Sequence, residues 1–376
     1  MAQNYALKYS DKVDERFTRE SQAMIATNKD YDWNGVDTIK VYQVDTVPLR
    51  DYARDGASNR YGNPSNLGNT IQTFKIENDR SFTFLIDKGD KLQSMMIMDA
   101  GKSLAREQRE VIIPEIDTYT FGTMADGAKK ASFEDDGVTP KAVSHVVVEA
   151  ISSATAYAKF LKASEVLGNA NVPDTGRVAF CSYAFANLLM LDPAFIKYSD
   201  KSQEMVIKGI LGEVDGTKIV KVPASRLPIG CSFLIAHPMA TVTVEQLNEY
   251  KIHEDAPGYS GWLVEGRMIY DSFVLRGKQD ALYVHFGSGE LGDINARVGT
   301  TAQDGADLNG KLIVEEAKGR LGGGTLKIKT GTTLPAYGDA DTGYTDAVSG
   351  TTAVSADSIV ALVVDGKIVA AKLLDV

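Results

Sequence analysis

The sequence predicts an α+β chain that closes in a small all-β region, on three observations. Residues 36–50 alternate apolar and polar over much of their length, as a half-buried strand does, and a second strand-like run follows at 70–87. Long helical patterns with an apolar stripe follow between Asp90 and Gly168. After Gly287 the composition turns to Gly, Thr, Ala and Asp, and residues 288–376 contain no Phe, Trp or Cys.

Taken in order, residues 1–33 are polar and mixed in charge. Ser10 can cap a helix whose apolar edge is only Val13, Phe17 and Met24. So few apolar residues cannot build a core, and the segment reads as an arm that must lie on something else. "VDTIKVYQVDTVPLR" (36–50) and "TIQTFKIENDRSFTFLID" (70–87) flank a turn region dense in Asn, Gly and Ser, which predicts an extended β-hairpin. An isolated two-stranded ribbon is marginal in water, so this element too needs outside support.

A helix is predicted from Asp90 to Ile113, with Leu92, Met95, Met96, Leu104, Val111 and Ile112 on one face. Pro114 must kink or restart it, and Glu115 and Asp117 suit a restart as acids of a first turn. The two segments together span about 50 Å at ~1.5 Å per residue. A second helix is predicted with Thr139 as cap, Pro140 at its first position and a stripe of Val143, Val146, Val147, Ala150, Ile151, Ala154, Tyr157 and Leu161, ending at Gly168. From Arg177 short runs alternate between strand and helix ("RVAFCSY", "AFANLLML", "QEMVIKGI", "TKIVKVP", "SFLIAHP"), which describes a compact α/β unit of about 75 residues. Residues 261–286 return to strands, with a turn at Arg276–Gly277. In the tail, "KLIVEE" and "TLKIKT" read as strands, and "SIVALVVDGKIVAAKLLDV" is a hairpin around Asp365–Gly366, the pair favoured in a type I′ turn. The tail reads as a separate all-β domain.

Composition excludes several function classes. With a formal net charge of −10 and a pI near 5.1, the chain lacks the clustered Lys and Arg needed to wrap nucleic acid. Cys181 and Cys231 are isolated, with neither disulfide-scaffold density nor CxxC spacing. No apolar run reaches the roughly 20 residues of a membrane span, and the polar N-terminus has no signal core.

Motifs for chemistry are near misses. "GILGEVDGTKIVKVP" (209–223) places Gly209, Gly212 and Gly216 before Thr217–Lys218, but the order differs from a phosphate loop and a strand follows where a helix must open. The expected structure is a helix ending near Gly209, a turn at Asp215–Gly216 and a strand. His145, His237, His253 and His285 show no metal-ligand spacing. "GDADTGYTD" (338–346) offers Asp339 and Asp341 in calcium-loop spacing, but Gly343 and Gly350 stand where ligands belong. "FEDDG" (133–137) reads as a solvated turn. No catalytic, cofactor or metal residues are assigned.

Six stretches, in order, resemble the major capsid protein of tailed double-stranded DNA phages. They are "DRSFTFLIDKGD" (79–90), "VIIPEIDTYTFGTMA" (111–125), "GRVAFCSYAFANLL" (176–189), "GILGEVDGTKIVKVP" (209–223), "FLIAHPMA" (233–240) and "YDSFVLRGK" (270–278). The resemblance covers roughly residues 1–287. It implies a Hong Kong 97-like fold: an N-terminal arm at 1–33, an E-loop hairpin at 34–88, and a P-domain with a long spine helix at 89–175. An A-domain at 176–258 and P-domain return strands at 259–287 would follow, with 288–376 an appended β-rich domain. Lys88 and Lys91 depart from the acids that relatives often carry after "ID".

The function so implied is a non-enzymatic shell subunit that assembles with itself into hexamers and pentamers around double-stranded DNA, then matures from a procapsid. Arg54, Arg60 and Tyr61 at the E-loop tip are the expected intersubunit contacts. A separate scaffolding protein and a portal are expected partners, as is a surface ligand for 288–376. The alternatives are an encapsulin-like compartment of the same fold and a nucleotide-dependent enzyme built on 209–218.

Overall fold

The computed structural model describes residues 21–28, 30, 38–44, 46, 47, 49–52, 54, 55, 59–64, 66–89, 100–134, 137, 139–197, 212–254 and 256–374. Strands β1 (Thr38–Val44) and β2 (Asn69–Lys75) form an antiparallel hairpin with Thr38 opposite Lys75 and Val44 opposite Asn69. The run predicted as one strand over 70–87 divides at Ile76–Glu77. Beyond the break β3 (Asn78–Asp87) joins a different sheet, and the Glu77 N–H, freed from the ladder, donates to Asp271 Oδ2 at 2.8 Å.

A helical rod organises the body: α1 (Ala100–Glu107), a π-turn (Gln108–Ile112) and α2 (Ile113–Ala131). The restart expected at Pro114 is seen: α2 opens at Ile113 with Pro114 in its first positions and Glu115 as the acid of its first turn. The π-turn leads into it, the Ile113 N–H donating to the Gln108 carbonyl, five residues back. This wider turn accommodates a proline that lacks an N–H and whose ring presses on the preceding turn. Residues 90–99 of the predicted helix lie outside the described residues.

The second predicted helix is corrected. Val146–Val148 is strand β4, and the helix α3 begins only at Ala156 and runs to Asn169. Three consecutive β-branched valines favour a strand, and β4 finds a parallel partner in β11 (Leu282–Phe286), with Val284 opposite Val146. Pro140 makes an isolated bridge with Phe133 rather than opening a helix.

After α3 come β5 (Val178–Ser182), α4 (Tyr183–Leu191), β6 (Glu213–Val214), β7 (Thr217–Val222) and β8 (Cys231–Ala236). Ser182 caps α4 by accepting the Phe185 N–H. The six-stranded mixed sheet has the order β4-β11-β8-β5-β7-β6. The strands β9 (Thr241–Glu254) and β10 (Gly261–Val274) form a second sheet in the order β3-β10-β9. Thus β9, grouped with the preceding α/β unit in the sequence reading, pairs with β10 instead, because both strands are long enough to run side by side.

The rod bridges the two sheets. Leu104, Ile112, Ile113 and Ile116 pack with Ile86, Val264, Met268 and Tyr270 of the three-stranded sheet. Phe121, Met124, Ala125 and Ala128 enter the main core with Phe160, Phe180, Phe233 and Phe286. Phe121 meets Phe180 edge-on at 4.8 Å. Each such fully buried aromatic contributes about 1.5–3 kcal/mol.

The C-terminal region is built from β12 (Ala296–Val298) paired with β13 (Leu312–Val314), and a four-stranded sheet. That sheet comprises β14 (Thr325–Thr330), β15 (Thr345–Asp346), β16 (Ser358–Val364) and β17 (Lys367–Leu374), in the order β15-β14-β16-β17. Strand content is as predicted, and Asp365–Gly366 turns with φ of 49° and 70°. Separateness is not: Val360, Leu362, Val364, Val369, Ala370 and Leu374 belong to the same apolar cluster as Phe286 and Phe180. The region meets α2 glycine against glycine. A Cβ on Gly122 would lie 2.3 Å from Gly319 Cα, and Gly319 itself has φ of 93°.

Candidate contact surfaces

Among the described residues, the hairpin's apolar packing on the body lies at its base. There Ile39, Val41, Phe74 and Ile76 pack on Val242, Val244, Leu275 and Phe273, with the Phe74 and Phe273 rings 4.9 Å apart. The Arg276 N–H donates to Gln72 Oε1. Beyond the base, Tyr42, Val44, Val47, Leu49, Leu67 and Ile71 are exposed. The predicted tip residues Arg54, Arg60 and Tyr61 all lie at the surface, with Tyr61 88% exposed. Tyr61 stands edge-on to Tyr52 at 5.0 Å. Tyr52, Leu49 and Tyr42 escaped the sequence reading. Their signal was apolar residues on a ribbon that has no second layer to cover them.

The arm segment is fixed to the rod by one carboxylate. Asp117 is 0% exposed, and it accepts from Ser21 Oγ at 2.5 Å, the Gln22 N–H at 3.1 Å, the Ala23 N–H at 3.2 Å and Arg226 Nη1 at 2.9 Å. Asp117 is therefore no exposed first-turn acid. It is the anchor of residues 21–23, and the chain continues as a 3-10 turn (Ala23–Ala26) to Asn28, whose N–H donates to Thr241 O.

A second polar network joins the rod to β3 and β10. Tyr119 Oη donates to Asp271 Oδ1 at 2.7 Å, and Tyr270 Oη donates to Glu115 Oε1 at 2.9 Å, while Arg80 pairs with Glu115. Burial, reinforced by the neighbouring carboxylates, pushes both phenols far above their ordinary range, so both remain donors.

The glycine stretch makes a turn, Asp215 and Gly216 having φ of 49° and 72°, and leads into β7 as expected; Gly209 and the helix expected to end there lie outside the described residues. Asp215 accepts from Ser164 Oγ at 2.6 Å, and the buried Arg177 guanidinium nearby spends its donors on the Pro173 and Val172 carbonyls and on Asp174. These contacts fasten the turn to α3.

His145 sits at the start of β4, not on a helix. Its Nδ1 lies 2.9 Å from Leu282 O, and burial lowers its pKa. Burial likewise lowers His285, which stacks on Phe233, and His237. His253 is exposed beside Glu265. Both cysteine thiols are fully buried, and burial raises them far out of the reactive range. Asp341 pairs with Lys327, and Asp339 accepts from the Ala336 N–H, so both acids of the calcium-like loop have protein partners. Glu134 and Gly137 form a turn closed by Gly137 N–H to Glu134 O. Among the described residues no group of three His, Cys, Asp or Glu is placed to hold a metal ion.

No protein-family model matches the chain, and no curated protein matches it. Solved structures do. A chain from Mycobacterium phage Che8 is 18% identical with a TM-score of 0.56, over 70% of this chain and 90% of that one. The capsid of the Cyanophage P-SCSP1u gives 15% identity and 0.53, over 68% and 84%. The mature capsid of bacteriophage PhiM1 gives 13% and 0.52, over 67% and 82%. At such identities the likeness is one of fold. The chain has the α+β architecture of these capsid subunits, extended by the C-terminal β region.

Proposed function

We propose that this chain is the structural subunit of a tailed-phage shell, whose activity is assembly with copies of itself. One observation carries the reading: a hairpin whose described apolar packing lies at its base exposes Tyr42, Val44, Leu49 and Ile71. A monomer gains nothing from such a ribbon, whereas a neighbouring copy that covers it removes its apolar area from water. A hairpin given to the next subunit while the same site receives one is a heterologous contact, and such contacts close into rings. The fold shared with the P-SCSP1u and PhiM1 capsids supports this use.

In this reading 34–88 is the E-loop, and Arg54, Arg60 and Tyr61 touch a neighbour. The rod is the spine of the P-domain, the segment leading to Asp117 is the N-terminal arm, and the six-stranded sheet with α3 and α4 forms the body reaching the A-domain. Hexamers and pentamers enclose double-stranded DNA in the virion. A scaffolding protein and a portal take part, and assembly occurs in the host cytoplasm. The formal charge of −10 suits a container, since a strongly basic lining would hold the genome by its phosphates as it entered.

Negative-stain microscopy of the purified chain tests the proposal. Shells, tubes or capsomer rings are expected, and a monodisperse monomer at high concentration sinks it. Particles purified from cells should carry nuclease-protected DNA; enzyme cargo in its place would turn the reading to a compartment of the encapsulin kind.

A further inference from the structure

The Asp117 site has a continuation on its far side. Arg226 belongs to the loop between β7 and β8, and the carbonyls on either side of it, Ala224 O and Leu227 O, both accept from Arg320 Nη1, at 2.7 and 2.8 Å. The Arg320 carbonyl in turn accepts from the Ile229 N–H at 2.9 Å. Arg320 lies on the strap that leads from β13 to β14. The strap is pressed on α2 by Gly319 and Gly322 against Gly122, and Gly323 N–H donates to Asp126 Oδ1 at 2.7 Å. Glu316 holds the other side of the Arg320 guanidinium at 3.6 Å. On the arm side, Gln22 Nε2 makes a second link to the same region by donating to Lys221 O at 2.9 Å.

We propose that the 223–230 loop is a coupling element: through Asp117–Arg226 on one side and Arg320 on the other, it ties the placement of arm residues 21–28 to the C-terminal β region. The physical basis is the state of Asp117. A carboxylate has about four lone-pair sites, and here four donors fill them in a place closed to water. Moving Arg226 leaves a buried charge short of a partner, and the arm's three donors then lose the geometry that Arg226 helped to set. Arg320 fixes where Arg226 stands. A force on the C-terminal region thus reaches the arm through two side chains, and by reciprocity a force on the arm reaches the strap. This is a property of the folded subunit and holds whether or not the chain builds a shell.

Hydrogen exchange read by mass spectrometry on the full chain tests it, with the peptide covering 21–28 as reporter. Arg320→Met is expected to speed exchange there by about tenfold, within the usual range of coupling between sites, although the bonds of Arg320 run to 224, 227 and Glu316. Arg226→Met should do the same, and the double variant should add little to Arg226→Met alone. Unchanged exchange at 21–28 in Arg320→Met, with 223–230 loosened, overturns the proposal, as does a double variant whose effect is the product of the two singles. Should Arg320→Met fail to fold, Glu316→Gln serves, since it removes the charge behind the guanidinium and keeps an amide oxygen to accept from the Asn295 N–H. A smaller rise at 21–28 is then expected, and none counts against the coupling.

Discussion

The N-terminal hairpin and the C-terminal strands are both β ribbons rich in Val, Ile and Leu, yet they end in opposite situations. In the hairpin a small base cluster holds two strands whose outer parts present Tyr42, Val44 and Ile71 to solvent. In the C-terminal region β16 is buried along its whole length, and its Val360, Leu362 and Val364 merge with the main core. The difference shows that dependence on a partner is set by where the apolar faces go. The hairpin keeps its apolar surface for another molecule, while the C-terminal region uses it on its own chain.

The largest test of that contrast lies in the C-terminal core. Leu362→Ala should cost about 2–5 kcal/mol, as large-to-small core changes do. It should lower the denaturant midpoint of the whole molecule in one transition. A separate early transition confined to the C-terminal region would break the contrast.

The pH response comes next, and it belongs to the body rather than the hairpin. Burial holds His145, His237 and His285 below the ordinary value of 6.5, so the unfolded chain takes up protons first as pH falls. Stability conferred by the neutral folded histidines is complete above 6.5 and is lost progressively below it. Lys141 near His145 and Lys159 near His285 act in the same direction, while Asp280 and Glu149 oppose them. Unfolding midpoints at pH 7.5, 6.5 and 5.5 should fall in that order, and His285→Asn should flatten the slope; midpoints that rise towards acid would contradict the assignment.

Smaller still is the hairpin base. Phe74→Ala removes a half-buried ring and should cost roughly 1–2 kcal/mol locally. Faster exchange is expected in β1 and β2 while the global midpoint barely moves. Least of all in stability are Leu49→Ser and Tyr61→Ser, expected to stay within about 0.5 kcal/mol of the parent chain, as surface changes do. The same two substitutions should lower the yield of assembled particles by sedimentation. Unchanged assembly in the pair would remove the hairpin tip from the contact surface.

Turns were the most legible part of the sequence. Asp215–Gly216 and Asp365–Gly366 have local chemistry that permits little else, and both turn as predicted. The rod was legible in part from its apolar stripe: Leu104 and Ile112 are buried as predicted, Val111 is exposed instead, because the π-turn shifts it off the buried face, and Leu92, Met95 and Met96 lie outside the described residues. Val146–Val148 was misread because its valines also fall on the helical stripe of the surrounding residues; their β-branched preference for a strand prevails once the distant partner β11 is available. The break at Ile76–Glu77 did leave a mark, since the polar run Glu77–Ser81 interrupts the apolar positions between Ile76 and Phe82, but that run reads equally as an exposed stretch of one strand, and only the change of partner shows the division. Asp117 was beyond local reading. Its donors come from Ser21–Ala23 and from Arg226, roughly a hundred residues away on either side, and no spacing rule connects them. The tip residues Arg54, Arg60 and Tyr61 were legible as exposed, because a polar turn region has no layer above it.

The π-turn at Gln108–Ile112 sets the phase of the whole rod. Leu104 and Ile116 are twelve positions apart in sequence and share one apolar cluster with β10. On a regular helix of 3.6 residues per turn they would point about 120° apart, and a π-turn that absorbs one residue brings them to within about 20°. The extra residue works as a spacer that rotates one half of the rod against the other, so that both halves turn an apolar face to the same three-stranded sheet. Removing the exposed Val111 would shorten the chain by one residue and unwind that match, turning Leu104 away from β10 while leaving the helix itself continuous.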